Sequence, residues 1–217
     1  FYQWHRRLST EEGMELLACG LRLMRLLRNE GVTHNDIKPE NIFVHLAEWT
    51  QSCANDRRDR DVTIGKFVFA DFGCAAFIDK EFPFGNICGT LTLWDPESLG
   101  CKYGQEHGFS YENDFFGILG SLCDGVLGYS IIERLLEKED PGYDDRGWEQ
   151  YTQLIRKCRK QITKQLLVTK LKEVGCDDEL LLHFILQLTV PRENRITDKD
   201  AEMLLAKHKG ISCLPLT

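Results

Sequence analysis

The chain has 217 residues, of which 42% are hydrophobic and 28% are charged, a composition typical of a globular protein. Its formal net charge of −7 argues against a nucleic-acid-binding protein, whose contact surface would be basic. Its apolar runs are far shorter than the roughly 20 residues that a membrane-spanning helix needs. The length suits one large domain or two small ones, with a substantial core in either case.

The cysteines indicate a reducing compartment. The chain has nine of them, an odd number, and they form no C-x-x-C pair and no metal-ligand spacing. We therefore expect free thiols, mostly buried as small apolar residues, in an intracellular protein of the cytoplasm or nucleus. Because Phe1 is not a start methionine and no signal-like segment precedes the first helix, we interpret the chain as part of a longer protein.

The first part of the chain predicts one long helix and then a small β element. Residues Ser9 to Glu12 have the form of a capping box, and Gly31 is a typical helix end after a stripe of apolar residues: Leu16, Leu17, Leu21, Met24 and Leu27. Short β-like runs follow at residues 42–44 and 67–70. The charged stretch 48–61 between them indicates an exposed hairpin loop, with a docking element as the alternative.

The remainder of the chain, from Asn113 onwards, is mostly helical in pattern. Six apolar residues cover nearly all sides of a helix in this part of the chain and indicate that it is buried inside the domain: Phe115, Phe116, Ile118, Leu119, Leu122 and Val126. We expect further helices at residues 131–138 and 148–172, one capped by Asp177 or Asp178, and a last one opened by Thr197 and Asp200. The predicted fold class is mainly α, with a small β-hairpin beside the loops that carry the chemistry.

Two loops at the ends of the β element carry that chemistry. Asp36 and Asn41 lie five positions apart on one loop, and Asp71 directly follows the second β run. If the two runs pair, the loops emerge side by side, so the Asn41 amide and the Asp71 carboxylate could share a magnesium ion. Asp36 is then left to accept the proton of an attacking hydroxyl, and Lys38 can direct its ammonium group at a transferred phosphoryl group.

Residues 34–41 resemble the catalytic loop of the eukaryotic-type protein kinases, and residues 71–73 resemble their D-F-G motif. Residues 89–97 are similar to the G-T-x-x-Y-x-A-P-E sequence that ends the kinase activation segment. Asp114 resembles the aspartate that anchors the catalytic loop, and Arg195 resembles the late arginine that pairs with the glutamate of P-E, here Glu97. These motifs occur in the family's order and cover nearly the whole chain.

The resemblance implies a role for each position. Asp36 would be the catalytic base, Lys38 would steady the γ-phosphate of ATP, and Thr90 together with Lys38 marks the serine/threonine branch. Magnesium would be bound by Asn41 and Asp71. The nucleotide would be bound by Lys38, Glu40, Asn41, Phe43 and Asp71. Of these, Phe43 would lie under the adenine ring. His34 and Phe72 would stack as part of the family's hydrophobic spine.

The sequence departs from the family at three positions. Asn35 stands where most kinases have an arginine that receives a phosphate, and residues 75–87 contain no serine, threonine or tyrosine. We therefore expect packing rather than phosphorylation to order this segment, and an arginine at position 35 to change activity little. Leu93 and Asp95 replace a tyrosine and an alanine of the family, so the substrate preference cannot be inferred from that of other family members.

The resemblance covers the C-terminal lobe of a kinase, and the N-terminal lobe has no counterpart in these residues. The glycine-rich loop, the strand lysine and the partner glutamate helix are all missing from the sequence. We expect residues 1–217 to form one C-lobe, with the catalytic loop at 34–41, the activation segment at 71–97 and a helical remainder at 98–217. Its expected partners are the missing lobe of the same kinase and a protein substrate, and alone it should be nearly inactive.

Three functions remain open at this point. The first is an ATP- and magnesium-dependent protein serine/threonine kinase, seen here as its large lobe. The second is a non-catalytic, kinase-like scaffold, which intact Asp36, Lys38, Asn41 and Asp71 argue against. The third is a small-molecule kinase of the aminoglycoside or choline type, which shares the H-x-D-x4-N spacing. Lys38, the D-F-G motif and residues 89–97 argue against that third function.

Overall fold

The structure is a computed structural model, and it describes residues 6–46, 64–78, 89–100, 110–143 and 147–209. Within these residues the helices are α1 (Thr10–Glu30), α2 (Tyr111–Leu127), α3 (Ile131–Glu139), α4 (Trp148–Arg159), α5 (Lys164–Glu173), α6 (Glu179–Leu186) and α7 (Asp198–Lys209). The strands are β1 (Val32–Thr33), β2 (Ile42–Leu46), β3 (Ile64–Phe69) and β4 (Ala76–Phe77). The predicted mainly α fold class is confirmed. The predicted loop at 48–61 lies outside the described residues.

Helix α1 begins and ends where the sequence predicts. The Ser9 side chain accepts a hydrogen bond from the Glu12 backbone, and the Glu12 carboxylate accepts one from the Ser9 backbone, which completes the capping box. Gly31 ends the helix with a left-handed φ of 65°, a conformation that costs glycine nothing because it lacks a Cβ. The predicted apolar stripe is buried, and it packs against α2.

Strands β2 and β3 form the predicted antiparallel hairpin. Phe43 lies opposite Val68, and Ile42 lies opposite Phe69. The Ala70 backbone N–H extends the pairing by donating to the Asn41 carbonyl at 2.9 Å. Strands β1 and β4 form a second, two-residue pair. The loops that follow β1 and β3 therefore lie side by side, as the sequence predicts.

Two clusters of buried apolar residues hold these elements together. The larger, which we call the first core, surrounds α2 and joins it to α1, to β2 and β3 and to α5, α6 and α7. The smaller, which we call the second core, consists of Leu91, Trp94, Leu99, Ile132, Leu136, Ile155 and Cys158. The second core joins the segment around residue 94 to helices α3 and α4. This segment therefore packs against a different cluster of buried residues from the one that surrounds α2.

The single helix predicted for residues 148–172 is wrong, because the structure divides this stretch into α4 and α5. The Thr163 side chain accepts a hydrogen bond from the Leu166 backbone and so starts a new helix. The two helices also bury their apolar faces in different places. Ile155 and Cys158 of α4 lie in the second core, whereas Leu167 of α5 lies in the first.

The other predicted helices are confirmed. Helix α2 is buried along most of its length, from Asn113 to Leu127, and α3 begins at Ile131 as predicted. Asp178 caps α6 by accepting a hydrogen bond from the Leu181 backbone at 2.7 Å. Thr197 and Asp200 exchange the hydrogen bonds of a capping box at the start of α7.

The expectation that all the cysteines are free thiols is contradicted at one position. Cys74 is disulfide-bonded, and its partner lies outside the described residues, whereas Cys19, Cys123, Cys158 and Cys176 are free and buried. A disulfide needs the two Cβ atoms about 4 Å apart, and the spacing of cysteines along the sequence does not give that distance.

Among the described helices, no single one has both the length and the apolar character needed to cross a bilayer. Helices α2 and α3 have that length and character only when taken together, and they are bent by 83° relative to each other. Helix α2 lies in the first core.

Candidate active site

The loop that follows β1, which the sequence predicts to be the catalytic loop, is anchored to the start of α2. The two carboxylate oxygens of Asp114 accept hydrogen bonds from the backbone N–H groups of His34 and Asn35, each at 2.7 Å. Asp114 is 1% exposed. Burial raises the pKa of this carboxyl group to about 7, although the two N–H groups favour its charged form. The predicted anchoring role of Asp114 is thus present in the geometry.

His34 connects the two loops. Its ring lies 4.6 Å from the ring of Phe72, centroid to centroid, so the predicted stacking contact is present in a tilted form. Its Nδ1 accepts a hydrogen bond from the Asp36 backbone, which leaves Nε2 as the N–H that donates to the Ala70 carbonyl at 3.1 Å. Burial lowers the pKa of His34, so the neutral ring that this arrangement requires is also the favoured form.

Asp36 lies in a cluster of hydrogen bonds with three neighbours. Its Oδ1 accepts a hydrogen bond from the Thr90 hydroxyl at 2.8 Å, and its Oδ2 accepts one from the Asn41 amide at 2.9 Å. The Lys38 ammonium group lies 2.9 Å from the same Oδ2 and 3.0 Å from the Thr90 hydroxyl. Burial alone would raise the pKa of Asp36, but the hydrogen bonds from Lys38 and Thr90 hold it below its ordinary value. The carboxylate is therefore ionised at neutral pH.

Asn41 and Asp71 occupy the same end of the β2–β3 hairpin. The Asn41 amide nitrogen donates to Asp36, so its amide oxygen is turned away from that carboxylate. Asp71 follows the residue whose N–H bonds the Asn41 carbonyl, and it has a left-handed φ of 61°. Its Oδ1 accepts a hydrogen bond from the Gly73 backbone at 3.2 Å. The turn that places Asp71 is therefore fixed by its own side chain.

An amide oxygen and a carboxylate are both hard oxygen donors, and such a set fits magnesium. In the described part of the chain, no group of three or more His, Cys, Asp or Glu residues could hold a metal ion. Magnesium commonly takes only one or two protein ligands and completes its shell with water and substrate phosphates. Asn41 and Asp71 are thus the residues that would hold it.

The remaining predicted site residues lie beside this cluster. Glu40 is exposed on the short 3-10 helix Pro39–Asn41. It lines a cavity of about 580 Å³ together with Lys38, Asn41 and Thr90. Phe43 is half-buried on β2, two residues beyond Asn41. All six predicted site residues therefore belong to two adjoining loops and one hairpin.

The predicted pairing of Glu97 with Arg195 is wrong. Arg195 instead forms an ion pair with Asp95, which is completely buried. Arg192 also contacts Asp95, at 3.2 Å, and lies 3.5 Å from Glu97. The buried carboxylate takes the arginine because an ion pair away from water is screened less than one at the surface. Asp95 is a charged residue among the mostly apolar residues 91–96, and this is the sequence signal that could have predicted a buried ion pair here.

Asn35 makes a contact that the sequence did not predict. Its side-chain N–H donates to the Cys74 carbonyl at 2.9 Å, and its backbone has a left-handed φ of 67°. Gly89 approaches so closely that a Cβ there would overlap the Asn35 backbone oxygen. Asn35 therefore contacts residues 74 and 89, two separate points within the predicted activation segment.

Comparison with known proteins agrees with this geometry. The sequence profile of the protein kinase domain matches residues 1–207. The chain belongs to the protein kinase family. The mainly α fold with a small hairpin is consistent with a kinase-like helical lobe.

Curated relatives include several protein kinases. The chain is 29% identical over 124 residues to the inhibitor of nuclear factor kappa-B kinase subunit epsilon of Mus musculus, covering 56% of this chain and 16% of that protein. It is 25% identical over 154 residues to the phosphorylase b kinase gamma catalytic chain, liver/testis isoform, of Bos taurus, covering 64% and 34%. The calcium/calmodulin-dependent protein kinase type IV of Homo sapiens is 27% identical over 128 residues, covering 58% and 21%. The chain thus spans 16 to 34% of the length of these relatives.

Proposed function

We propose that the chain is the large catalytic lobe of an ATP- and magnesium-dependent protein kinase that phosphorylates serine and threonine hydroxyls. The observation that carries the proposal is the cluster in which Lys38, Thr90 and Asn41 all contact the Asp36 carboxylate. A carboxylate offers about four acceptor positions. Three contacts leave about one position free, which is what a substrate hydroxyl needs.

In this proposal each residue has a task that its contacts allow. Asp36 is held ionised and aimed, and it accepts the hydrogen bond, and then the proton, of the attacking hydroxyl. Lys38 keeps its ammonium group beside that carboxylate, where negative charge on a transferred phosphoryl group would be neutralised. Asn41 and Asp71 would hold magnesium, which supplies charge neutralisation on the phosphates when it is bound.

The surface beside Asp71 supports a covering lobe as partner. Phe72, Phe77 and Ile78 are large apolar side chains, and they are 48%, 53% and 41% exposed. Neighbouring exposed apolar side chains of this size are typical of an interaction surface. The nucleotide-covering lobe of the same kinase would bury them and close the site over ATP.

The cavity beside Lys38 and Thr90 supports a protein substrate. Its volume of about 580 Å³ is in the range of ligand pockets. Its lining combines the acidic Glu40 and Glu133 with the basic Arg6 and Lys38, which suits the mixed charges of a protein segment. A metabolite phosphorylated in the manner of the aminoglycosides would not need a groove that continues past Thr90.

The test is phosphate transfer from ATP by the parent protein with both lobes, using protein and small-molecule acceptors. Asp36→Asn and Asp71→Asn should each lower transfer to protein by about 100-fold or more, the size expected for loss of a general base or a metal ligand. Asp177→Asn is the matched control, because Asp177 is exposed and remote from the cluster. Binding of ATP without transfer would favour the scaffold, and transfer to metabolites alone would favour the small-molecule kinase.

A further inference from the structure

The side chain of Asn35, at the position where most kinases have an arginine, forms a hydrogen bond with the residue that follows the D-F-G motif. We propose that Asn35 is a positioning residue that ties the D-F-G turn to the catalytic loop and thereby holds Asp71 in place for magnesium. The proposal rests on the function proposed above. It concerns how the site stays ordered when no phosphate is available to order it.

The two carbonyl groups that flank the D-F-G turn are held by consecutive side chains. His34 donates to the Ala70 carbonyl at 3.1 Å, directly before Asp71, and Asn35 donates to the Cys74 carbonyl at 2.9 Å, directly after Gly73. The turn between these points is closed by its own bonds, from Gly73 to the Asp71 carboxylate and from Ala75 to Phe72. Asp71 therefore lies on a short span that is clamped at both ends.

Asn35 is itself fixed, so it can act as an anchor. Its backbone N–H donates to Asp114, its side chain is buried, and the residue as a whole is 2% exposed. Its left-handed φ of 67° is one that asparagine adopts more readily than most residues. The amide oxygen of Asn35 has no hydrogen-bond partner within the described residues. The hydrogen bond to the Cys74 carbonyl is therefore the one that orients this side chain toward the D-F-G turn.

The nature of the side chain matters as much as its place. An aspartate has the same shape and tolerates the same φ, but it has no N–H to donate and would set an oxygen against the Cys74 carbonyl. A glycine keeps the left-handed backbone at no cost and removes the tie altogether. Both replacements therefore remove the hydrogen bond while they keep the backbone conformation, so their effects can be assigned to the hydrogen bond. The proposal also revises the sequence-based expectation that an arginine at this position is neutral.

The experiment compares Asn35→Asp and Asn35→Gly with the unchanged parent protein, both lobes present. Two quantities are measured: the magnesium concentration that gives half-maximal phosphate transfer, and hydrogen exchange of the peptide covering residues 71–78 without nucleotide or metal. Both variants should need about tenfold more magnesium, and both should exchange faster in that peptide, because the partly buried Cys74 carbonyl loses its donor. Transfer should recover partly at high magnesium, which a general loss of folding would not allow.

Thr152→Val is the matched control, since it removes one hydrogen bond of a buried side chain on α4 without changing its shape. It should lower the melting temperature while leaving the magnesium midpoint and the exchange of residues 71–78 as they were. If Asn35→Gly keeps both quantities at the parent values, Asn35 serves only its backbone conformation and the proposal is overturned. If the parent protein transfers no phosphate, the proposed function fails, and the exchange measurement still decides whether the tie exists.

Discussion

At the scale of single residues, three aspartate carboxylates are each stabilised by a different kind of partner. Asp36 is held by a lysine, a hydroxyl and an amide, Asp114 by two backbone N–H groups, and Asp95 by two arginines. The three partners of Asp36, namely Lys38, Asn41 and Thr90, also line the cavity of about 580 Å³, so this carboxylate lies next to a space that a substrate could enter. The chemistry therefore follows from the partners of each carboxylate and not from its residue type.

The motifs predict which residues reach the site, because their spacing along two loops is fixed by the hairpin between them. They do not predict partners that come from distant parts of the chain. Arg195 meets Asp95 across 100 positions of sequence, and Asn35 meets Cys74 across 39. Both contacts depend on how the loops are packed in three dimensions, which a spacing rule does not contain.

Asp124 is a fourth carboxyl group with a perturbed pKa, and it gives a prediction about pH. Burial raises the pKa of Asp124 to about 8 from the 3.8 of an exposed aspartate, against hydrogen bonds from Ser130 and Ile131. A raised pKa in the folded state means that the protonated form stabilises the fold at low pH and that this stability is lost as pH rises through about 8. Asp124→Asn is neutral throughout. Its free energy of unfolding, relative to the unchanged chain, should rise by about 1.4 kcal/mol or more between pH 5 and pH 9.

Urea unfolding at a series of pH values measures this difference. Asp177→Asn, at an exposed aspartate, should show a difference that is flat across the same range. A flat profile for Asp124→Asn as well would mean that its carboxyl group titrates like an exposed one.

At the scale of elements, the capping residues predict most helix boundaries correctly. Ser9, Gly31, Asp178 and Thr197 all mark the ends that the structure has. The break between α4 and α5 was not predicted, because the polar pattern continues through it. What separates the two helices is the location of their buried faces in two different cores, a property of packing.

Helix α2 approaches the catalytic loop at a glycine, and this gives a second prediction. A Cβ on Gly117 would lie 3.0 Å from the backbone oxygen of Ile37 and 3.1 Å from its Cβ. Ile37 stands between Asp36 and Lys38, so the loop would have to shift by a few tenths of an ångström. Gly117→Ala should lower kcat by about tenfold, since small displacements of reacting groups are costly. Steady-state kinetics of the parent protein measure it.

Gly13→Ala on α1 is the matched comparison. Its added methyl group would lie 3.4 Å from the ends of Leu122 and Leu181, an ordinary contact. Alanine is the better helix former, so this variant should gain up to about 1 kcal/mol of stability with kcat unchanged. An equal loss of kcat in both variants would place the effect in general helix packing and not in the catalytic loop.

At the scale of the whole molecule, the two cores support two different parts of the site. The first core contains Ile37 of the catalytic loop and residues of the β2–β3 hairpin, whereas the second contains Leu91 and Trp94 of the segment after Thr90. Helix α4 adds to the second support, since Arg159 and Arg156 donate to the carbonyls of Thr92 and Leu99. The proposed nucleotide side and the proposed substrate side of the site are therefore supported by separate groups of buried residues.

Two leucines of equal burial test this division. Leu136 lies in the second core and Leu167 in the first, and both are completely buried. Each change to alanine should cost about 2–5 kcal/mol of stability, the usual range for a buried leucine. Leu136→Ala should also raise the KM of the parent kinase for its protein substrate by about fivefold while leaving the KM for ATP near its parent value. Leu167→Ala should leave the KM for the protein substrate unchanged, because the segment at 91–94 keeps its support. Equal effects of both variants on that KM would mean that the two cores act as one.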